Sequence, residues 1–451
     1  MGGATLLATM VDRAKSRTDF PHAAKRKAAV CLFDFLSCSI EAADLAWSRQ
    51  SATLAEATPG KCPVVGESIT TSAHDAAFAN GVRGHGLVRE DMHAGSISHM
   101  GVVVWPVIAA LVSENSDLTA NPFQAAIAGY EIGGRIGRAL ITPGMARRFR
   151  PTGIIGPLAG TLAGAILLGF DRETTINALA LAANTAGGLN EWPHSGADDM
   201  YFHPGFAARS AITALRLAEL GAKGSASALD GPAGLFASFQ VPLPENIALF
   251  ADGQFEIEAV FNKEAPACNF AQSPCQTALA AARRIPQGDE VETIHLSTYQ
   301  AAINYPGCNF RGPFETPLQA KMSIYFGMAA TLAQGEIAEK NYSLLGDARI
   351  SELIAKTTIT VSEELDRAFP ARQGAIIRVQ TKGGHIIEET LDDVRPASPE
   401  LVRHRLKIAA QQRFGNEQAE RLETALDSVS EGDASAEQVA KLIDLCRKEG
   451  E

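Results

Sequence analysis

The stretch AIIRVQTKGGHIIEETL, residues 375–391, sets two runs rich in β-branched residues on either side of TKGGH. Partial alternation of apolar and polar residues marks each run as a strand, and the Lys-Gly-Gly-His connection between them is that of a hairpin turn. Two more such runs precede it: VETIHLSTY at 291–299 and TTITVSEEL at 357–365. QAKMSIYFGMAATLAQG, residues 319–335, has helical spacing and lies among these strands. A small sheet with at least one helix is therefore expected from about residue 256 onward.

On both sides of this region the period is helical. AAKRKAAVCLFDFLSCSIEAA (23–43), FQAAIAGYEIGGRIGRAL (123–140), IIGPLAGTLAGAILLGF (154–170) and TTINALALAANTAG (174–187) repeat apolar residues every three or four positions. Gly and Ala pairs such as GGRIG and LAGTLAG allow helix axes to approach closely. The asparagine of TANPFQ places a turn before a helix with Pro near its start. Helical spacing returns in PELVRHRLKIAAQQRF (399–414), EQAERLETALDSV (417–429) and SAEQVAKLIDLCRKE (435–449). The expected architecture is mainly α with an inserted α+β domain. The helical parts are residues 1–255 and 395–451, and a smaller α+β lid domain spans 256–394. A chain of 451 residues is too long for one hydrophobic core, which agrees with that division.

A formal net charge of −11 argues against a nucleic-acid or anionic-membrane partner, but leaves room for a small anionic ligand in a locally basic pocket. The seven cysteines are odd in number and have no CxxC spacing, so free thiols in a reducing cytoplasm are expected. No signal peptide is evident at the N-terminus, and no apolar run approaches the roughly 18 residues of a membrane span. Neither GxSxG nor GxxxxGK[ST] occurs, so hydrolase and nucleotide-binding readings lack support.

Chemistry concentrates in REDMHAGSISHMG, residues 89–101. Gly95, Ser96 and Ser98 favour a loop, on which Asp91, His93 and His99 can converge. One reading is a general acid/base site. Asp91, His93 and His99 are also the tempting metal ligands, although their spacing matches no familiar metal motif. The plain alternative is a polar connection between helices with an N-cap at Ser98.

The wider segment AFANGVRGHGLVREDMHAGSISHMGVVVWPVIAAL, residues 77–111, resembles the signature region of the MmgE/PrpD family. That pattern is roughly NG-x-x-x-H-x-x-D-x-DD-T, a short loop, then HP and an apolar helix containing Pro. Asn80, Gly81 and His85 fit it. Glu90-Asp91 stands for the acidic pair and His99 for the loop histidine. FRPTGIIGPLAG (149–160), YFHPGFAARSAI (201–212), KEAPACNFAQ (263–272) and FETPLQAKMSIYFGMAATLAQGEI (314–337) continue the likeness in order. Three positions depart from it: Val88 replaces the first aspartate, Arg150 a histidine and Met200 a lysine. These departures argue against cis-aconitate decarboxylation and for a divergent branch.

The resemblance implies a cofactor-independent, metal-independent lyase of the dehydratase type acting on a small di- or tricarboxylate. It also implies a homodimer in which the helical return rejoins the first helical part. An epimerase of a substituted, iminodisuccinate-like dicarboxylate, or an inactive carboxylate-binding relative, are the alternatives. Such chemistry builds negative charge on a carbon beside a carboxylate. It needs a base of near-neutral pKa, a proton donor and fixed positive charge. The expected catalytic residues are His99 as base, Asp91 in support, Lys263 as donor or carboxylate holder, and His203 or Tyr305 at the leaving group. Arg150, Arg89, His93 and Ser96 are expected to bind the substrate, since guanidinium grips carboxylate in two-pronged fashion.

Overall fold

The chain's computed structural model describes residues 4–245 and 247–449, with Asp252 described by its backbone alone. Helices dominate both ends and a four-stranded sheet lies between them, so the fold is mainly α with a smaller α+β region. The sheet order is Thr357–Val361, Val291–Thr298, Ala375–Thr381, Ile386–Leu391. The first pair is parallel and the other two are antiparallel, the last being the hairpin around TKGGH. The segment 319–335 is not one continuous helix. It breaks between Pro317–Met322 and Ile324–Gln334, where the Ser323 side chain caps the second piece by accepting from the Phe326 amide.

Two apolar clusters organise the interior. One gathers residues from Leu7 to Val260 together with Ala397 to Cys446. The other runs from Ala265 to Ile387 and takes in Val88, Trp192, Met200 and Tyr201 from the earlier part. The helix Pro399–Phe414, first of the three that end the chain's described part, packs along His22–Glu41. Its Arg405 donates to the carbonyls of Lys263 and Glu264, and its Arg413 to the carbonyl of Gly66.

Small residues set the closest helix approach. The helices Ala73–His85 and Asp199–Glu219 meet at Gly81 and Gly205, where a methyl added to Gly205 would lie 2.7 Å from the Phe78 carbonyl oxygen. This contact brings the ends carrying His85 and His203 to the same region. Asn121 caps Pro122–Leu140 by accepting from the Phe123 and Gln124 amides, as TANPFQ leads one to expect.

Candidate active site

Residues 86–100 connect the helices Ala73–His85 and Gly101–Glu114 as an irregular loop. Met92–His93 forms a two-residue strand paired antiparallel with Val260–Phe261. That pairing joins the loop to the start of the second part of the chain and carries Lys263 toward it. Val88 and Ile97 adopt φ of 59° and 51°, a region that β-branched residues rarely enter. Both line the same small cavity, so the strained backbone borders the site.

Four buried side chains form a relay. Arg150 Nη2 donates to His85 Nε2 at 3.1 Å, which leaves the proton of His85 on Nδ1, 2.6 Å from Glu90 Oε1. His99 Nδ1 lies 2.9 Å from the same carboxylate oxygen and 2.9 Å from the Asp91 carbonyl oxygen. With Nδ1–H so engaged, Nε2 is the lone pair His99 retains. Burial pushes the His99 pKa down to about 3 and lowers that of His85, so both rings are neutral near pH 7. Burial alone would raise Glu90. His85, Lys263 and His99 outweigh it and hold that carboxyl well below its ordinary range.

The cavity against this relay measures about 20 Å³, roughly one water. His99, Arg150, Tyr305, Cys268 and Asn269 supply its polar wall. Val88, Met92, Ile97, Met200, Phe270 and Met322 supply the rest. Ile97, Phe270 and Tyr305 also line a larger chamber of about 400 Å³, so the two cavities adjoin at these three side chains. Burial raises the Tyr305 hydroxyl to about 12, which keeps it a proton donor.

Several expected residues lie elsewhere. Asp91 does not support His99 with its carboxylate. Tyr130 donates to that group, and so does the Gly101 amide at 3.2 Å, so Asp91 caps the helix Gly101–Glu114. The adjacent Glu90 faces the histidines instead. Nor is Ser98 an N-cap: its hydroxyl bonds Ser96, and Met100 occupies the cap position. His93 and Ser96 bond each other at 2.7 Å, and His93 Nε2 meets Glu256 at 2.7 Å, away from the cavity wall. Arg89 is paired with Glu41 at 2.7 Å and is not a wall residue. Lys263 is fully buried, and its Nζ donates to the carbonyls of Val88 and Ala267. It stabilises the loop and the charge on Glu90 without lining the cavity. His203 sits beside Arg150 against Gly188, with Nδ1 unpartnered, just outside the wall.

His85, Glu90 and His99 place ligand atoms within 4.8 Å of one another, the one such trio among the described residues. Asp91 and His93 are not part of it. The neighbouring charges of Lys263 and Arg150 act against a dication at this point. Glu90 and His85 are the partners that spacing did not reveal. Only the left-handed turn at Val88 folds Glu90 back onto the end of its preceding helix.

Profiles of the MmgE/PrpD N-terminal and C-terminal domains match residues 5–242 and 265–431. The chain belongs to the MmgE/PrpD family. Among its relatives, the cis-aconitate decarboxylase of Aspergillus terreus is 23% identical over 423 residues, covering 87% of this chain and 86% of the relative. The cis-aconitate decarboxylase-like protein oryM of Aspergillus oryzae is 24% identical and covers 94% of both chains. Human cis-aconitate decarboxylase matches at 30% over 172 residues, 36% of this chain and 34% of its own. Among the described residues, no helix is long and apolar enough to cross a membrane.

Proposed function

We propose that this MmgE/PrpD protein is a metal-independent lyase of the dehydratase type that acts on a small carboxylate. The observation that carries the reading is the neutral, buried His99, aligned through Nδ1 by Glu90 and the Asp91 carbonyl, on the wall of a cavity shared with Arg150 and Tyr305. Family membership and relatives named for decarboxylation of a carboxylate support the same class.

In this reading Arg150 holds the substrate carboxylate, aided by its place at the N-terminus of the helix Pro151–Leu167. Burial is the main cause of the depressed His99 and the charges of Lys263 and Arg150 add to it; an anion at Arg150 offsets that second part, so binding raises the basicity of Nε2. His99 Nε2 removes the proton from the carbon beside the carboxylate. The released electron pair forms the carbon–carbon double bond as the β-hydroxyl departs, protonated by Tyr305 Oη to leave as water. The proton on His99 then returns to Tyr305 through solvent. Glu90 stabilises the transient imidazolium without itself being protonated.

The test is solvent proton exchange. The protein incubated in deuterium oxide with hydroxy-carboxylates should deliver deuterium to the α-carbon and yield absorbance from a new conjugated double bond. Exchange without that absorbance would indicate epimerisation. Neither signal with any such acid would support the inactive carboxylate-binding alternative.

A further inference from the structure

We propose that the site selects an acid with a single carboxylate at its reacting end and an apolar arm. Arg150 receives the carboxylate, Tyr305 faces the leaving hydroxyl, and the arm lies beyond Phe270 in the larger chamber. The proposal rests on the preceding reading in one respect, that the reacting carbon sits at His99.

Two orphaned donors mark the reacting end of the ligand. Arg150 Nε and the Tyr305 hydroxyl are buried and have no hydrogen-bond partner, although both side chains line the inner cavity. Buried donors left unpaired are costly, and a hydroxy acid would satisfy both, its carboxylate at Arg150 Nε and its hydroxyl at Tyr305. Arg150 Nη2 is already engaged by His85, so the free Nε side is what the guanidinium offers a ligand.

A second buried carboxylate has nothing to meet. Among the described residues Arg150 is the one cation of the inner wall; the Lys263 ammonium is turned to the carbonyls of Val88 and Ala267 instead. The rest of that wall is largely thioether and aliphatic, with Met92, Met200 and Met322 among it. An unpaired carboxylate buried against such groups is strongly disfavoured. Methionine side chains reshape readily, which allows a cavity the size of one water to admit a ligand.

The chamber beyond continues the apolar surface. Ile97 and Phe270 are shared by the two walls, and Ile141, Pro143, Phe369 and Pro370 form much of the chamber's own. Arg147 also lines this chamber, but its side chain is exposed, where water weakens its hold on a second anion. A monocarboxylate with a hydrocarbon substituent thus takes the place of the di- or tricarboxylate expected from the family likeness.

Calorimetric titration of the full chain with unreactive acids tests this. Phenylacetate and 4-methylpentanoate should bind at least tenfold more tightly than succinate or tricarballylate, and R150M should weaken both monocarboxylates at least tenfold. I141D should weaken phenylacetate about fivefold or more and leave acetate within twofold. The wild-type series decides the matter even where a variant fails to fold. Equal affinities, a preference for succinate or tricarballylate, or no binding by any acid would overturn the proposal. The proton-transfer reading fails separately: a His99→Ala protein that keeps both this selectivity and its turnover would sink that reading alone.

Discussion

Glu90 and Asp91 are neighbours with opposite surroundings. Glu90 faces two histidines and Lys263, and its carboxyl is held well below the ordinary range. Asp91 is buried beside Asp34 and Glu90, and burial raises it to about 6 despite hydrogen bonds from Tyr130 and Gly101. Substitutions at the two should therefore separate. Glu90→Gln keeps the shape but loses the charge that stabilises a protonated His99, and should lower kcat by about one to two orders of magnitude with KM little changed. Asp91→Asn should leave kcat per folded molecule within a few-fold and cost about 1 kcal/mol of stability through the weakened helix cap, read from denaturant midpoints. His99→Ala should lower turnover by about two or more orders of magnitude. Near wild-type turnover in His99→Ala would reduce the 89–101 loop to a structural connection.

At the scale of elements, the contact of Ala73–His85 with Asp199–Glu219 depends on two glycines facing each other. Gly205→Ala would push a methyl into the Phe78 carbonyl and the Val82 side chain. Overpacking of this kind should destabilise by about 1–3 kcal/mol. Because His85 ends one of these helices and His203 lies on the other, activity should fall beyond what the unfolded fraction explains; an unchanged kcat per folded molecule would show that the spacing serves packing alone. The strand pair Met92–His93 with Val260–Phe261 and the bond from Lys263 to Val88 already connect the two parts of the chain without substrate.

For the molecule as a whole, acid should be destabilising. Burial lowers the pKa of His85, His93, His99 and His203 from an ordinary 6.5, the last two to about 3. The unfolded chain takes up protons at these residues as pH drops through 6.5 and the folded chain does not. Stability present above pH 6.5 is therefore lost progressively toward pH 3. Glu90 and Glu256, both depressed, act in the same direction at lower pH. Raised carboxyls at Asp34, Asp91, Glu131 and Glu339 oppose the trend, Asp91 from about pH 6 downward. The first loss on acidification belongs to the histidines, so Tm should fall between pH 7 and 5.5, and a flat or rising Tm would contradict their neutral burial. We also propose a homodimer, to be seen as twice the chain mass in light scattering at micromolar concentration. Activity should survive dialysis against a chelator; loss restored by zinc or iron would assign a metal to His85, Glu90 and His99. The division into 1–255 with 395–451 and a separate 256–394 is likewise our proposal, to be checked by the boundaries of cooperative hydrogen exchange.

Local pattern determined much of this protein. The hairpin runs around TKGGH, the helical periods on either side and the cap at Asn121 are properties of neighbouring residues and are found where the sequence places them. The run 357–365, by contrast, is strand only over Thr357–Val361 and turns, at the Ser362 cap, into the helix Glu363–Ala368. Segment order along the chain carries the family likeness, and the concentration of proton carriers at 89–101 singles out the loop that holds His99. The tertiary structure alone decided which of those carriers face one another. Asp91 and Glu90 differ by one position, and the left-handed turn at Val88 sends one to a helix end and the other to His85 and His99. His93 was lost to the site because Glu256, 163 residues away, offers its ring a closer partner. The positive charge of Lys263 was spent on backbone carbonyls for the same reason: a buried ammonium must find acceptors at once. Side-chain chemistry is written in the sequence, but buried polar groups choose partners by proximity in space, and burial decides which remain free for a ligand.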